Sequence, residues 1–107
     1  NFLDLQDDFE AIATNPPFGL AKEFCDYALT RTHSLNGKVA MLLPLAFDAA
    51  KTRVYLFDRS PFKAKYTLLK RIRWENLDQK KAGPSTNHAW FVWDWKYCGS
   101  PYLAYLL

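Results

Sequence analysis

Glycine is scarce in this chain: four in 107 residues, at positions 19, 37, 83 and 99, and no two close enough to form a glycine-rich loop around a phosphate or cofactor. Cysteine is scarcer still, and Cys25 and Cys98 lack the CxxC or Cys/His spacing of a zinc site. Reduced thiols in a cytoplasmic protein are expected rather than a disulfide. His33 and His88 stand apart from each other and from the cysteines, so no metal site is expected, and no Ser/His/Asp or Cys/His order suggests a nucleophilic centre. No apolar run reaches the roughly 18 residues that span a bilayer, no secretory leader is recognisable, and there is no internal repeat.

One domain at most fits this length, with enough aromatic residues for a modest core. The net charge of +3 is unevenly spread. Residues 1–50 hold 3 basic and 7 acidic side chains, a net −4, whereas residues 51–81 hold 10 basic and 3 acidic, a net +7. The remainder balances. A basic block of this kind serves either as a solvated surface or as a patch facing phosphates, with Lys70, Arg71, Arg73, Lys80 and Lys81 as the candidate contacts.

Patterning alternates between strand and helix. Residues 10–15 read as a short apolar strand. Residues 20–33 read as a helix with Leu20, Ala21, Phe24, Cys25, Tyr27 and Ala28 on one stripe and Lys22, Glu23, Asp26 and Thr30 opposite. After the Asn36-Gly37 turn, Val39 to Leu43 is apolar without alternation, as expected of a central parallel strand covered on both faces, and Pro44 ends it. A second helix is predicted over 48–58 with Asp48 as its cap. Strand, helix, strand, helix is the pattern of an α/β doubly wound sheet. Ala64 to Trp74 then alternates with one basic face, a polar loop spans 75–87, and the aromatic run 88–95 reads as a strand antiparallel to its predecessor. Residues 96–107 have no clear pattern; Tyr102 to Leu107 fits a short extension on that hairpin.

The chemistry concentrates at Asn15-Pro16-Pro17-Phe18, between the first strand and the first helix. Open α/β sheets keep their chemistry at such carboxyl ends of strands. Two prolines stiffen the loop and cannot donate, leaving the Pro16 carbonyl free as an acceptor. The Asn15 side-chain oxygen is a second acceptor. Two acceptors on one planar NH2 group draw it towards a tetrahedral geometry and localise its lone pair for attack on an electrophile. Phe18 offers a flat face for an extruded base. A loop that merely connects strand to helix is the plainer alternative.

Asn15 to Phe18 resembles the Asn/Asp/Ser-Pro-Pro-aromatic signature of the class I S-adenosylmethionine-dependent amino-methyltransferases. The resemblance implies the C-terminal half of a Rossmann-like methyltransferase sheet, from the end of its third strand onward, whose last strands form a reversed hairpin with the seventh strand beside the fifth. It implies Asn15, Pro16, Pro17 and Phe18 as catalytic residues. Asn1 and Phe2 match the short segment that contacts the cofactor's adenine, Asn1 standing where Asp is commoner; Phe2 is otherwise a hydrophobic anchor. The implied function is methyl transfer to an exocyclic nitrogen of a nucleobase, adenine N6 in DNA foremost. RNA guanine N2, a protein glutamine amide, and a non-catalytic nucleic-acid-binding remnant of the fold are the alternatives. His88 would lie beside the target pocket or serve as a bonded structural residue.

The family's glycine-rich cofactor loop has no counterpart here. The chain is therefore expected to be part of a methyltransferase, inactive alone, with the strand before Asn15 left as an open edge. It is expected to self-associate through that edge or to pair with the missing half.

Overall fold

A computed structural model describes residues 2–70 and 87–107. Its elements are a 3-10 turn at Phe2–Asp4, strand β1 (Ala11–Thr14), a 3-10 turn at Phe18–Leu20 leading into helix α1 (Ala21–His33), and β2 (Lys38–Pro44). A 3-10 turn at Lys51–Arg53, the one-turn helix α2 (Tyr55–Asp58), β3 (Phe62–Leu68), β4 (His88–Asp94) and β5 (Tyr102–Leu106) follow.

The five strands form one mixed sheet in the order β1-β2-β4-β3-β5. β1 runs parallel to β2 and β3 parallel to β5, while β4 lies between β2 and β3 antiparallel to both. Four strands thus point one way and β4 alone is reversed. The expected antiparallel pairing of the basic and aromatic strands is present, and the aromatic strand sits beside β2. β3 begins two residues before its expected start and ends at Leu68, earlier than expected, with a bend at Leu69 and Lys70; the expected continuation through Arg71, Ile72, Arg73 and Trp74 lies outside the described residues. The chain does not end on that hairpin, because Tyr102–Leu106 adds a further strand against β3.

Burial explains why these segments settle as they do. One face of the sheet carries Val39, Met41, Leu43, Ala89, Phe91 and Trp93, none more than 1% exposed. α1 lays Ala21, Phe24, Cys25 and Ala28 on it, and Phe47 and Leu56 complete the layer. Burial of each large side chain there contributes about 1.5–3 kcal/mol. The Trp93 indole, fully buried, donates Nε1–H to the Leu56 carbonyl at 2.6 Å, so α2 is held by a polar as well as an apolar contact. β2 is not covered on both faces as its apolar run suggested. Ala40 and Leu42, on the opposite side from Val39 and Met41, are only half-buried, because both described helices contribute to the same face.

The predicted helix over 48–58 is replaced by turns, a 3-10 turn and the single turn of α2. Asp48 does not cap it, since its carboxylate holds Lys65 Nζ at 3.1 Å. Arg53 folds back instead, donating Nε–H to the Phe47 carbonyl at 2.6 Å with its guanidinium over the Phe47 ring. β-branched Thr52 and Val54 add little helical preference against those contacts.

Gly37 is required where α1 turns into β2. A Cβ there would lie 2.6 Å from the Glu10 carbonyl oxygen, and the approach is fixed by the bond from Lys38 N–H to that same oxygen at 2.9 Å. The preceding Asn36 takes the left-handed conformation, φ 50°, that lets the chain leave the helix.

Cys25 and Cys98 are not joined: the first is buried on the sheet-facing side of α1 and the second is exposed. Burial pushes the Cys25 thiol up to about 12, with Asp26 adding and Arg53 opposing. The fold favours the protonated form, so this contribution is complete below the ordinary thiol value of 9.0 and is lost as pH rises towards 12. A thiol reagent at neutral pH is expected to titrate one cysteine rapidly in the native protein, Cys98, and two after denaturation; rapid titration of both in the native state would show that the α1 face opens.

Candidate functional site

Asn15 to Phe18 leaves the carboxyl end of β1 and enters α1 through the Phe18–Leu20 turn. Pro16 is buried and anchors the loop, whereas Asn15, Pro17 and Phe18 are exposed, Phe18 by 68%. Pro17 sits at φ −57° and ψ 135°, and its carbonyl accepts the Leu20 N–H at 2.9 Å, so the loop is braced from its own sequence. Within the described residues, no hydrogen bond engages the Asn15 side chain or the Pro16 carbonyl. The exposed Asn15 side chain is therefore open to an incoming N–H donor, and the Pro16 carbonyl, on a buried residue, is unbonded.

The other sequence-level candidates divide. Phe2 is half-buried, its ring stacked on Phe24 at 4.9 Å and edge-on to Tyr27 at 5.0 Å, so it anchors the 3-10 turn on α1. Asn1 lies outside the described residues, as do Arg71, Arg73, Lys80 and Lys81. Lys70 is exposed just beyond the carboxyl end of β3. Since β1 and β3 run the same way with β2 and β4 between them, Asn15 and Lys70 share one end of the sheet, about 14 Å apart laterally at three strand spacings.

The basic block is not uniformly available. Lys63 reaches Asp94 at 3.9 Å, and Lys65 pairs with Asp48 while lying over the Phe91 ring at 5.3 Å. These two lysines, part-buried and neutralised, serve the fold. Lys51, Arg59 and Lys70 remain exposed.

His88 also sits at the motif's end of the sheet, but it is buried and engaged within the fold, paired across the ladder with Pro44. His33 packs on Trp95 with ring centroids 4.3 Å apart. Among the described residues no three of His, Cys, Asp and Glu gather as metal ligands, and no helix is long and apolar enough to cross a membrane.

Two cavities lie away from the motif. One of about 620 Å³ runs between α1 and α2, walled by Asp26, His33, Tyr55, Arg59 and Trp95; the other, of about 400 Å³, lies along α1 beside Leu3, Gln6 and Arg31. The first borders a cluster that sequence reasoning missed: Tyr55 donates its hydroxyl to Asp26 Oδ1 at 2.5 Å, and Lys22 lies 3.6 Å from Asp26 Oδ2. Burial foremost, then the bond to Asp26, pushes the Tyr55 hydroxyl above its ordinary value. Only the Lys22–Asp26 spacing of one helical turn was visible in the sequence.

Compared with known proteins, the chain matches no protein-family model and no curated sequence.

Proposed function

We propose that this chain is the amine-binding half of an S-adenosylmethionine-dependent methyltransferase whose target is an exocyclic amino group of a nucleobase, adenine N6 in DNA. The observation that carries the reading is the state of Asn15 to Phe18: a braced loop at a strand's carboxyl end, with two unengaged acceptors beside a largely exposed aromatic ring. The strand order supports it. A parallel strand carrying the motif, a parallel neighbour, a reversed strand inserted next to that neighbour, and a further parallel strand are what the C-terminal half of such a sheet requires.

The residues present supply the amine's side of the reaction. The Asn15 oxygen and the Pro16 carbonyl accept the two N–H bonds of the target, Phe18 holds the base by its face, and Pro17 keeps these groups in register. No strong general base is needed, because the amine, once alkylated, is acidic enough to lose its proton to water. The implied cofactor supplies an electrophilic methyl group. Of the described residues only Phe2 corresponds to a cofactor contact; its ring is half-buried, with one face on Phe24 and an edge on Tyr27, so it would offer an adenine only its remaining surface.

Exposed Lys70 at the same end of the sheet as Asn15 favours a nucleic acid over a protein amide. The test is transfer of a labelled methyl group by the longer parent protein to DNA, RNA and protein in parallel, with the modified nucleoside identified. N6-methyladenine is expected; label on RNA guanine or on glutamine would move the substrate, and no transfer to any would leave a binding module. Exchanging Lys80 and Lys81 for glutamate is expected to weaken nucleic-acid binding and lower the slope of log affinity against log salt by about 2, one per lost phosphate contact. An unaltered slope would assign both lysines to a solvated surface.

A further inference from the structure

We infer that the outer edge of β5 is a self-pairing surface, on which a second copy of this chain adds antiparallel about a two-fold axis at Ala104. The inference is independent of the methyl-transfer reading, since it uses neither the motif nor the cofactor.

β5 closes one side of the sheet, with β3 as its neighbour inside and no described strand outside. The Leu69 N–H donates to the Leu106 carbonyl at 2.8 Å, so Leu106 directs its backbone groups at the β3 side. Backbone groups alternate sides along a strand, which turns those of Tyr102, Ala104 and Leu106 inward and those of Leu103 and Tyr105 outward. An edge of this kind is ordinarily protected by charge, proline or a bulge. Here none of these protects it: no charged side chain occurs from Tyr97 to Leu107, and Pro101 falls before the strand. The side chains are apolar and open to solvent, Leu103 at 66%, Tyr105 at 62%, Tyr102 and Leu106 at 40% each.

A second copy suits this edge because its sequence is complementary to itself when reversed. Centred on Ala104, Leu103 faces Tyr105 of the other copy and Tyr102 faces its Leu106, so every aromatic meets a leucine on either face. The same centring makes Leu103 and Tyr105 the hydrogen-bonded pair, exchanging both bonds, twice over by symmetry. It leaves Ala104 opposite Ala104 as the close, non-bonded pair. The outward groups of each strand are therefore the ones that the partner satisfies. Nearby charge does not oppose the approach, since Lys63 and Lys65 on β3 are already paired with Asp94 and Asp48. The opposite edge, where the sequence suggested self-association, behaves differently: Asp7 and Glu10 precede β1 and would repel their counterparts in a second copy, while Asp8 is paired with Arg31 at 3.8 Å.

Sedimentation equilibrium on the 107-residue chain from about 1 to 300 µM is expected to show mass rising from 12.4 kDa towards twice that value. Tyr105→Pro removes an outward donor while leaving the bonds to β3 intact, and is expected to stay monomeric over that range with an unchanged far-ultraviolet spectrum. If that variant unfolds, cross-linking decides: in a Cys98→Ser background, Ala104→Cys is expected to oxidise to a covalent dimer at least about tenfold faster than Ser100→Cys, because only position 104 meets itself at a separation a disulfide spans. A wild-type chain that stays monomeric, a dimer that persists in folded Tyr105→Pro, or equal cross-linking at both positions would overturn the assignment.

Discussion

On the proposed methyl-transfer reading, Asn15→Ala in a longer protein carrying both halves is expected to lower kcat by about 10²-fold or more while leaving cofactor affinity nearly unchanged. The direction follows from when the hydrogen bond matters. A conjugated amine is a poor acceptor and a modest donor in the ground state; as its nitrogen becomes tetrahedral and positive, its N–H groups become strong donors, and the bond to the Asn15 oxygen strengthens. Loss of one such bond costs about 2.7–4 kcal/mol of transition-state stabilisation, which is the expected fold-change. The structure makes the experiment clean, because Asn15 is exposed and its side chain bonds to nothing described, so alanine should leave stability within about 0.5 kcal/mol. Transfer from labelled cofactor, measured beside a cofactor titration, separates the two effects. Unchanged turnover would remove Asn15 from the mechanism.

How much of this was legible in the residues depended on the range of the deciding interaction. α1 could be read from most of its stripe, because Ala21, Phe24, Cys25 and Ala28 recur at helical spacing and all are buried, whereas Leu20, placed on the same stripe, precedes the helix and is 40% exposed, and Tyr27 is half-buried. The one buried α1 residue missed, Thr32, satisfies its own hydroxyl by donating to the Ala28 carbonyl at 2.8 Å and so hides among polar residues. The segment 48–58 failed for the opposite reason: Asp48 finds Lys65 rather than a helix terminus, a choice made 17 residues away. β5 has no alternation to read, since both of its faces are apolar, and only pairing with β3 makes it a strand. The basic face of β3 was legible as charge, yet which lysines remain free was not, because Asp48 and Asp94 come from other elements. The motif itself was legible because its stiffness and its acceptors are properties of four consecutive residues.

The 107-residue chain alone is expected to bind S-adenosylmethionine too weakly to detect, with Kd above about 1 mM. Adenosyl cofactors need a concave, mostly apolar site that covers most of their surface, with a glycine-rich strand-to-helix turn where the chain approaches them closely. The four glycines of this chain are dispersed, and among the described residues the strand-to-helix turn that bears a glycine, Phe18–Leu20, leaves Gly19 with open space where a Cβ would lie rather than a neighbour held close. The two described cavities border α1 and α2 and include none of Asn15 to Phe18, so a cofactor lodged in either would not present its methyl group to the amine. Phe2, the remaining adenine contact suggested by the sequence, is half-buried, with part of its ring covered by Phe24 and Tyr27. Calorimetry with the isolated chain should therefore give heats no larger than dilution, whereas on the proposed reading a longer protein carrying both halves is expected to bind at about micromolar concentration. Micromolar binding by the isolated chain would mean that the cofactor is held from the motif's own side, and the division of the site into an amine half carried here and a cofactor half carried elsewhere would have to be abandoned.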